Sequence, residues 1–236
     1  MSELRIGLVA EGITDLIIIQ EFISSYCKEN ATDVVLSFEN LQPRFDRTSG
    51  GNNGGWELVY KWCLNNPPGV RDGQFFGGGL FDEGMSGLTC DVIVVHLDAD
   101  ICERIGDKST IVPVPVTASD SRERGLYIYS TIEEWLWPVG SVSDNRHFPA
   151  PAVESTEAWL VAALSEDLSP EEDRNILRRL LEVDAELRGV QPPANGKSLK
   201  KSEKKYKKFV QIASPHIGKV VEKCPHFEEL VSSIFN

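Results

Sequence analysis

Residues 91–100 have the sequence DVIVVHLDAD, an apolar run that ends in two aspartates. The centre of this run, residues 92–95, is continuously apolar rather than alternating, which is typical of a strand covered on both faces. Strands of that kind belong to parallel sheets that carry helices on each side. The stretch therefore predicts a central strand of an α/β protein, with acidic residues at its carboxyl end.

Further strands and helices alternate on both sides of this stretch. The apolar run RIGLVA, residues 5–10, stops at Glu11 and Gly12, and the residues after it carry apolar side chains at helical spacing. Other strands are predicted at 33–38 and 148–153, and helices at 56–64, 119–137, 154–167, 170–187 and after Pro225. We therefore expect a Rossmann-like α/β fold with a mainly parallel central sheet flanked by helices.

Length and composition limit the number of domains. The chain has 236 residues, of which 41% are hydrophobic and 25% are charged, so it can bury a core and is neither disordered nor fibrous. This length allows one elaborated domain with an appendage. We predict an α/β core at 1–165 and a helical, lysine-rich extension at 166–236 that packs on it. Within the core, glycine-rich residues 69–90 predict an irregular insertion.

Apolar runs and cysteine spacing indicate the compartment. No stretch approaches the roughly 18 consecutive apolar residues that a membrane span requires, and acidic residues interrupt the first apolar run. The five cysteines are scattered and form no CxxC pair, so we expect reduced thiols with structural roles. These features favour a cytoplasmic protein with no membrane partner.

Charge is distributed unevenly along the chain. Residues 197–223 contain nine lysines and two acidic residues, which gives this segment a charge of +7. Because the whole chain has a net charge of −12, the remaining residues sum to −19. An acidic body with a basic segment can bind cations and phosphates in different places.

Three acidic residues are expected at one edge of the sheet. Glu11 follows the first strand, and Asp98 and Asp100 close the strand at 91–100. Carboxyl ends of parallel strands share a rim, and side chains two apart on an extended segment project to the same side. Clustered carboxylates repel one another unless a hard cation neutralises them, and oxygen ligands suit Mg²⁺ or Mn²⁺. The alternative is that these acids are solvated loop residues. His96 lies within the apolar strand and is interpreted as a core histidine rather than a ligand.

The motif EGITD at 11–15, followed after another strand by DAD at 98–100, resembles the TOPRIM fold of topoisomerases, primases and OLD-type nucleases. Residues 149–164 and 205–234 also resemble a family of small bacterial TOPRIM-like proteins, some of them linked to defence against phage. The resemblance implies that Glu11 is a metal ligand or general acid/base and that Asp98 and Asp100 bind metal. It places Asp15 where OLD-type nucleases usually carry a glutamate for a second metal ion.

Two further groups of residues are candidates for the site. Glu154 and Glu157 are three apart at a predicted helix start, where one of them, taken here as Glu154, could complete the acidic cluster. They could equally be acids that favour the helix N-terminus. Lysines with Tyr206 among them predict a surface for the nucleic-acid backbone, against the alternative of a solvated helical face. These lysines are Lys197, Lys200, Lys201, Lys204, Lys205, Lys207 and Lys208.

The resulting hypothesis is a Mg²⁺- or Mn²⁺-dependent nuclease of TOPRIM type, with Glu11, Asp98 and Asp100 as catalytic residues. Nucleic acid is the expected partner, with DNA favoured over RNA, and a protein partner encoded nearby is allowed. A second hypothesis is a non-catalytic TOPRIM-like module that binds or senses a ligand within a larger defence complex. A third is a phosphohydrolase that acts on small phosphate esters or nucleotides.

Overall fold

The structure is a computed structural model that describes residues 2–30, 33–43, 54–76, 89–113, 120–166, 169–192 and 199–235. Its described strands form one sheet in the order β2-β1-β3-β4, and every neighbouring pair is parallel. They are β1 (Ser2–Val9), β2 (Val34–Gln42), β3 (Val92–Asp98) and β4 (His147–Ala152). The prediction of an α/β fold with a parallel central sheet is confirmed.

Helices connect the strands and form the C-terminal region. They are α1 (Ile13–Asn30), α2 (Trp56–Asn65), α3 (Pro68–Phe75), α4 (Ser121–Leu136), α5 (Glu157–Leu164), α6 (Ile176–Leu187), α7 (Glu203–Ala213), α8 (Ile217–Lys223) and α9 (Pro225–Phe235). Short 3₁₀ turns occur at Ala99–Ile101, Gly106–Lys108, Pro170–Glu172 and Ser214–His216. Within the described ranges, no helix combines the length and the apolar character needed to cross a membrane. All five cysteines lie in the described ranges, are buried and form no disulfide.

The sheet separates two apolar cores. One core joins the sheet to α1, α5 and the C-terminal helices, and the other joins it to α2 and α4. Along β3, Val94 faces the first core, whereas Ile93 and Val95 face the second. Since strand side chains alternate, His96 and Asp98 lie on the same face as Val94, towards α1 and α5.

The C-terminal helices are part of the first core. Helices α6, α7 and α8 contact α5, α7 also packs on α1, and α9 packs on β4. Tyr206, Phe209 and Phe227 from these helices are almost completely buried in it. The domain boundary at residue 165 stays a prediction.

Strand order places a crevice next to β1. The chain passes from β1 to β2 on one side, and β3 pairs with β1 on the other side. In open parallel sheets, the carboxyl ends of two strands that diverge in this way leave a cleft between their loops, and ligands bind there. Glu11 follows β1, and Asp98 is the last residue of β3. The fold therefore brings the ends of these two strands to the position where a ligand is expected.

The glycine-rich region begins as a helix, which differs from the predicted irregular insertion at 69–90. Helix α3 covers Pro68–Phe75, has proline in its first turn, and buries Arg71 and Phe75. These two residues are four apart and anchor one helix face, so packing overrides the low helix propensity of glycine. Residues 77–88 of the predicted insertion lie outside the described ranges.

Arg71 belongs to a buried network at the amino end of β4. Its Nε donates to His147 Nε2 at 2.8 Å, and its other nitrogens donate to the carbonyls of Asn66 and Leu136. His147 Nδ1 lies 2.8 Å from Asp144 Oδ1. Because Nε2 accepts a hydrogen bond, the imidazole is neutral with its proton on Nδ1. Burial lowers the pKa of His147 to about 4, from a usual value of 6.5.

We expect this histidine to make the protein less stable in mild acid. Between pH 6.5 and pH 4 the unfolded chain binds a proton at His147 that the folded chain excludes, so stability falls as pH falls. From pH 7 to pH 5 the contribution lost is about 2 kcal/mol. This loss is measured by urea unfolding of wild type and His147→Gln at pH 7 and at pH 5. The variant should lose less of its free energy of unfolding, and equal losses would contradict the assignment.

Candidate metal centre

Three buried side chains converge at the carboxyl end of the sheet. Asp15 in the first turn of α1, His96 in β3 and Asp98 at the end of β3 offer ligand atoms that all lie within 4.8 Å of one another. The convergence follows from the fold, because His96 and Asp98 share the sheet face on which α1 packs. Carboxylate, imidazole and carboxylate groups therefore face a common point.

Glu11 lies directly beside this group. Its Oε1 accepts a hydrogen bond from the main-chain nitrogen of Asp98 at 2.9 Å, which joins the ends of β1 and β3. The expectation that Glu11 and Asp98 lie close together is confirmed by this contact. Their role as metal ligands stays a prediction.

The carboxylates destabilise one another's charged forms. Burial and the charge of Asp98 raise the pKa of Glu11 to about 8. Burial raises the pKa of Asp15, and burial together with the charges of Asp15 and Glu157 raises the pKa of Asp98 well above its usual value. A cation among these groups would remove the repulsion and favour their ionised forms.

The hydrogen bonds of His96 leave its Nε2 directed at the cluster. Nδ1 lies 2.7 Å from the carbonyl oxygen of Ala150, which only accepts hydrogen bonds, so Nδ1 carries a proton. Nε2 lies 3.1 Å from Asp98 Oδ1. In neutral imidazole this nitrogen has a lone pair that faces the lone pairs of the carboxylate, and a proton or a metal ion is needed between them. Histidines that bind a metal ion through one ring nitrogen commonly donate the N–H of the other ring nitrogen to a carbonyl or carboxylate oxygen.

The turn before α5 holds two of the acids. The main-chain nitrogen of Thr156 donates to Asp98 Oδ1 at 3.1 Å, and its hydroxyl donates to Asp15 Oδ1 at 2.9 Å. In this turn Glu154 has a φ of 61°, and among the described residues it is the only non-glycine with positive φ. Backbone conformations of this kind persist where surrounding contacts enforce them.

Glu157, the first residue of α5, is fully buried, and its charge raises the pKa of both Asp15 and Asp98. Its Oε1 contacts Lys201 Nζ at 2.8 Å and accepts a hydrogen bond from the Tyr206 hydroxyl. Its Oε2 accepts from Ser155 Oγ at 2.6 Å. Burial acts to raise the pKa of Glu157, but Lys201 and these hydrogen bonds leave that pKa below its usual value.

Asp100 is oriented differently from the expectation. Strand β3 ends at Asp98, and residues Ala99–Ile101 form a 3₁₀ turn, so Asp100 does not continue the alternation of the strand. Its Oδ1 pairs with Arg104 at 3.0 Å, and 55% of its side chain is exposed. Asp100 is therefore absent from the described group of potential ligand atoms within 4.8 Å.

The prediction that Glu154 and Glu157 both stand within one helix start is wrong. Helix α5 begins at Glu157, and Glu154 precedes it in a left-handed conformation, so helical spacing does not apply. The Glu154 carboxylate forms a buried ion pair with Arg124 at 2.7 Å. Glu157, and not Glu154, lies beside the aspartates.

The predicted nucleic-acid lysines are divided between the site and the surface. Lys201 contacts the acidic cluster, and Lys197 lies outside the described residues. Lys205 is placed over the ring of Phe209, and Lys207 lies 3.6 Å from Glu203. The exposed members are Lys200, Lys201, Lys204, Lys207 and Lys208, and Lys205 is half-buried.

Sequence reasoning identified the acids of the site but missed other members. His96 was interpreted as a core residue, although it is two residues before Asp98 and the strand alternation used for the acids applies to it as well. Thr156 carries no recognisable signal, because its contacts depend on how the turn before α5 packs against β3.

Comparison of the chain with models of known protein families, with curated proteins and with solved structures finds no match. The fold and the site define a parallel α/β protein with an acidic, histidine-containing cluster at its topological switch point. The resemblance to the TOPRIM fold stays a prediction that rests on the EGITD and DAD motifs.

The donor set fits a divalent cation. Asp15 and Asp98 supply carboxylate oxygens, which Mg²⁺ and Mn²⁺ prefer, and His96 adds an imidazole nitrogen, which suits transition metals. The mixed set therefore favours Mn²⁺ over Mg²⁺, whereas the sequence had indicated oxygen ligands alone. A cation would take the place of the proton that His96 Nε2 and Asp98 Oδ1 otherwise require between them.

We expect Glu11→Gln to stabilise the metal-free protein at high pH. The folded chain holds a proton on Glu11 up to about pH 8, whereas the unfolded chain releases it near pH 4.5, so ionisation costs stability as pH rises through this window. Glutamine keeps the acceptor for the Asp98 nitrogen and carries no charge. In chelator, the advantage of the variant in free energy of unfolding should grow by about 1 kcal/mol for each pH unit between 5 and 8. A pH-independent difference would contradict the burial of an ionisable group here.

Proposed function

We propose that the protein is a metal-dependent nuclease that hydrolyses phosphodiester bonds of nucleic acid. The observation that carries this proposal is the convergence of Asp15, His96, Asp98 and Glu11 beside a basic helix. Acids that repel one another in a buried place are costly to a fold, and such sites are concentrated where a protein binds or reacts. The parallel sheet places this cluster where ligands bind in such folds.

Asp15, His96 and Asp98 would hold the divalent ion. When bound, such an ion supplies Lewis-acid stabilisation of phosphate oxygens and lowers the pKa of water. Thr156 fixes the orientation of both aspartates through its main-chain nitrogen and its hydroxyl. The Ala150 carbonyl fixes the orientation of His96.

Glu11 is the candidate general acid/base. Its pKa is about 8 in the metal-free site, and a bound cation would lower it towards the neutral range in which proton transfer is efficient. Its Oε1 is occupied by the Asp98 nitrogen, so the proton would move at Oε2. The TOPRIM resemblance also implies an acid/base role for Glu11.

Helix α7 contacts the acids with one side and carries lysines on the other. Tyr206 on its buried side donates to Glu157, while Lys204 and Lys208 lie on its exposed side, one turn apart. A nucleic-acid backbone bound along Lys204 and Lys208 would lie across the helix from Glu157, one helix diameter of about 10 Å away. DNA is the proposed substrate and phage defence the proposed context, and both rest on the resemblance.

A second candidate is a binding or sensor module without catalytic activity. The ion pair between Lys201 and Glu157 neutralises part of the cluster with the chain's own cation, which favours this alternative. The two candidates differ in whether a divalent ion produces turnover.

We expect Asp98→Asn to abolish metal-dependent cleavage. Substrates are supercoiled plasmid, single-stranded DNA and RNA, each incubated with Mg²⁺, Mn²⁺ or chelator. The cleavage rate should fall at least about 100-fold, because even partners of metal ligands contribute 10- to 100-fold. Asp107→Asn, which changes a highly exposed aspartate, serves as the control. Cleavage by wild type in chelator, or full activity of Asp98→Asn, would contradict the proposal, and Mn²⁺ binding without any cleavage would favour the module.

We expect the exposed lysines of α7 to determine the salt dependence of DNA binding. Replacing Lys204 and Lys208 together by glutamine should weaken binding and reduce the slope of log K against log salt by about 2, roughly one for each phosphate contact. Lys28→Gln is the control, because Lys28 is exposed in the last turn of α1, at the end of that helix opposite to Asp15. An unchanged slope in the double variant would remove α7 from the interface. The slope is measured by fluorescence anisotropy of a labelled duplex at a series of salt concentrations.

A further inference from the structure

The ammonium group of Lys201 is part of the acidic cluster. Its Nζ lies 2.8 Å from Glu157 Oε1, and although Glu157 is fully buried, 42% of the Lys201 side chain is exposed. Lys201 therefore reaches in from the surface. Burial opposes its charge, but the attraction of Glu157, Asp15 and Asp98 raises the pKa of Lys201 above its usual value. The group is a fixed positive charge.

Both oxygens of Glu157 are occupied by donors from this chain. Lys201 and Tyr206 contact Oε1, and Ser155 donates to Oε2. Tyr206 and Ser155 are themselves buried at these positions. A metal ion at Oε1 would have to displace Lys201 or Tyr206 and leave that donor without a partner, which is costly in a buried place, and a metal ion at Oε2 would have to share the oxygen with Ser155.

The charges of the cluster are also consistent with a single ion. Four carboxylates converge here, from Glu11, Asp15, Asp98 and Glu157. One divalent ion together with Lys201 brings three positive charges to these four negative charges. A second divalent ion would bring the total to five, so that it would enter a site whose negative charge is already largely neutralised.

We propose that Lys201 takes the place of a second divalent cation, so that each chain binds one ion. This inference rests on the proposed metal-dependent function and specifies the composition of its site. Asp15, His96 and Asp98 hold the ion, and Lys201 balances the charge of Glu157. The arrangement differs from the two-ion site that the resemblance to OLD-type nucleases implies for Asp15.

The test is the number of Mn²⁺ ions bound per full-length chain, measured by equilibrium dialysis and by electron paramagnetic resonance. Wild type should bind one ion and give the spectrum of an isolated Mn²⁺. Lys201→Met should bind two ions, and their spins should couple, because paired ions in such sites lie about 3.5–4 Å apart. Lys201→Arg keeps the positive charge and should therefore bind one Mn²⁺ ion, as wild type does.

A matched control removes an ammonium group from an ion pair elsewhere. Lys219 Nζ lies 2.7 Å from Glu166 Oε1 with similar side-chain exposure, and Lys219→Met should bind one ion, as wild type does. Two ions in wild type would overturn the inference and leave the metal-dependent function standing. One ion in Lys201→Met would also overturn the inference. Binding of no Mn²⁺ by wild type would overturn the proposed function itself.

Discussion

Repulsion between buried carboxylates is the constraint on which the rest of the site depends. The folded chain holds Glu11, Asp15 and Asp98 together although the charges of Asp15 and Asp98 raise the pKa of Glu11 and that of Asp15 raises the pKa of Asp98. Hydrogen bonds to main-chain groups make this possible. The main-chain N–H of Asp98 donates to the Glu11 carboxylate, and the Asp98 carboxylate accepts from the main-chain N–H of Thr156. The apolar cores on both faces of the sheet provide the stability that offsets the repulsion, as is common where binding sites are less stable than the scaffold that carries them.

The fold could be predicted because its strands are short apolar runs bounded by turns. Strand β3 lies within residues 91–100, whose apolar centre indicated two covered faces, and both ends of strand β4 lie within one residue of the predicted range. Helix α3 was missed because its stability comes from Arg71 and Phe75, which bind partners far away in the chain, while its own sequence is poor in helix formers. Tertiary contacts of this kind leave no periodic signal in the sequence.

The acids of the site could be predicted from strand ends, but their partners could not. Glu11 and Asp98 meet because parallel strands end at one edge, which is a property of topology alone. The contact between Lys201 and Glu157 depends on how the chain before α7 returns to α5, and the lysine looks the same in sequence as its exposed neighbours. Asp100 was assigned on the assumption that the strand continued, and the turn that begins at Ala99 ended the alternation.

The two aspartates differ in what fixes their orientation. Thr156 holds Asp98 through its main-chain nitrogen and Asp15 through its side-chain hydroxyl. Every amino acid except proline provides that nitrogen, whereas only serine or threonine would provide an equivalent hydroxyl. Genetic drift at position 156 would therefore change the environment of Asp15 and spare that of Asp98. Natural variants at this position would in this way alter one of the two aspartates independently of the other.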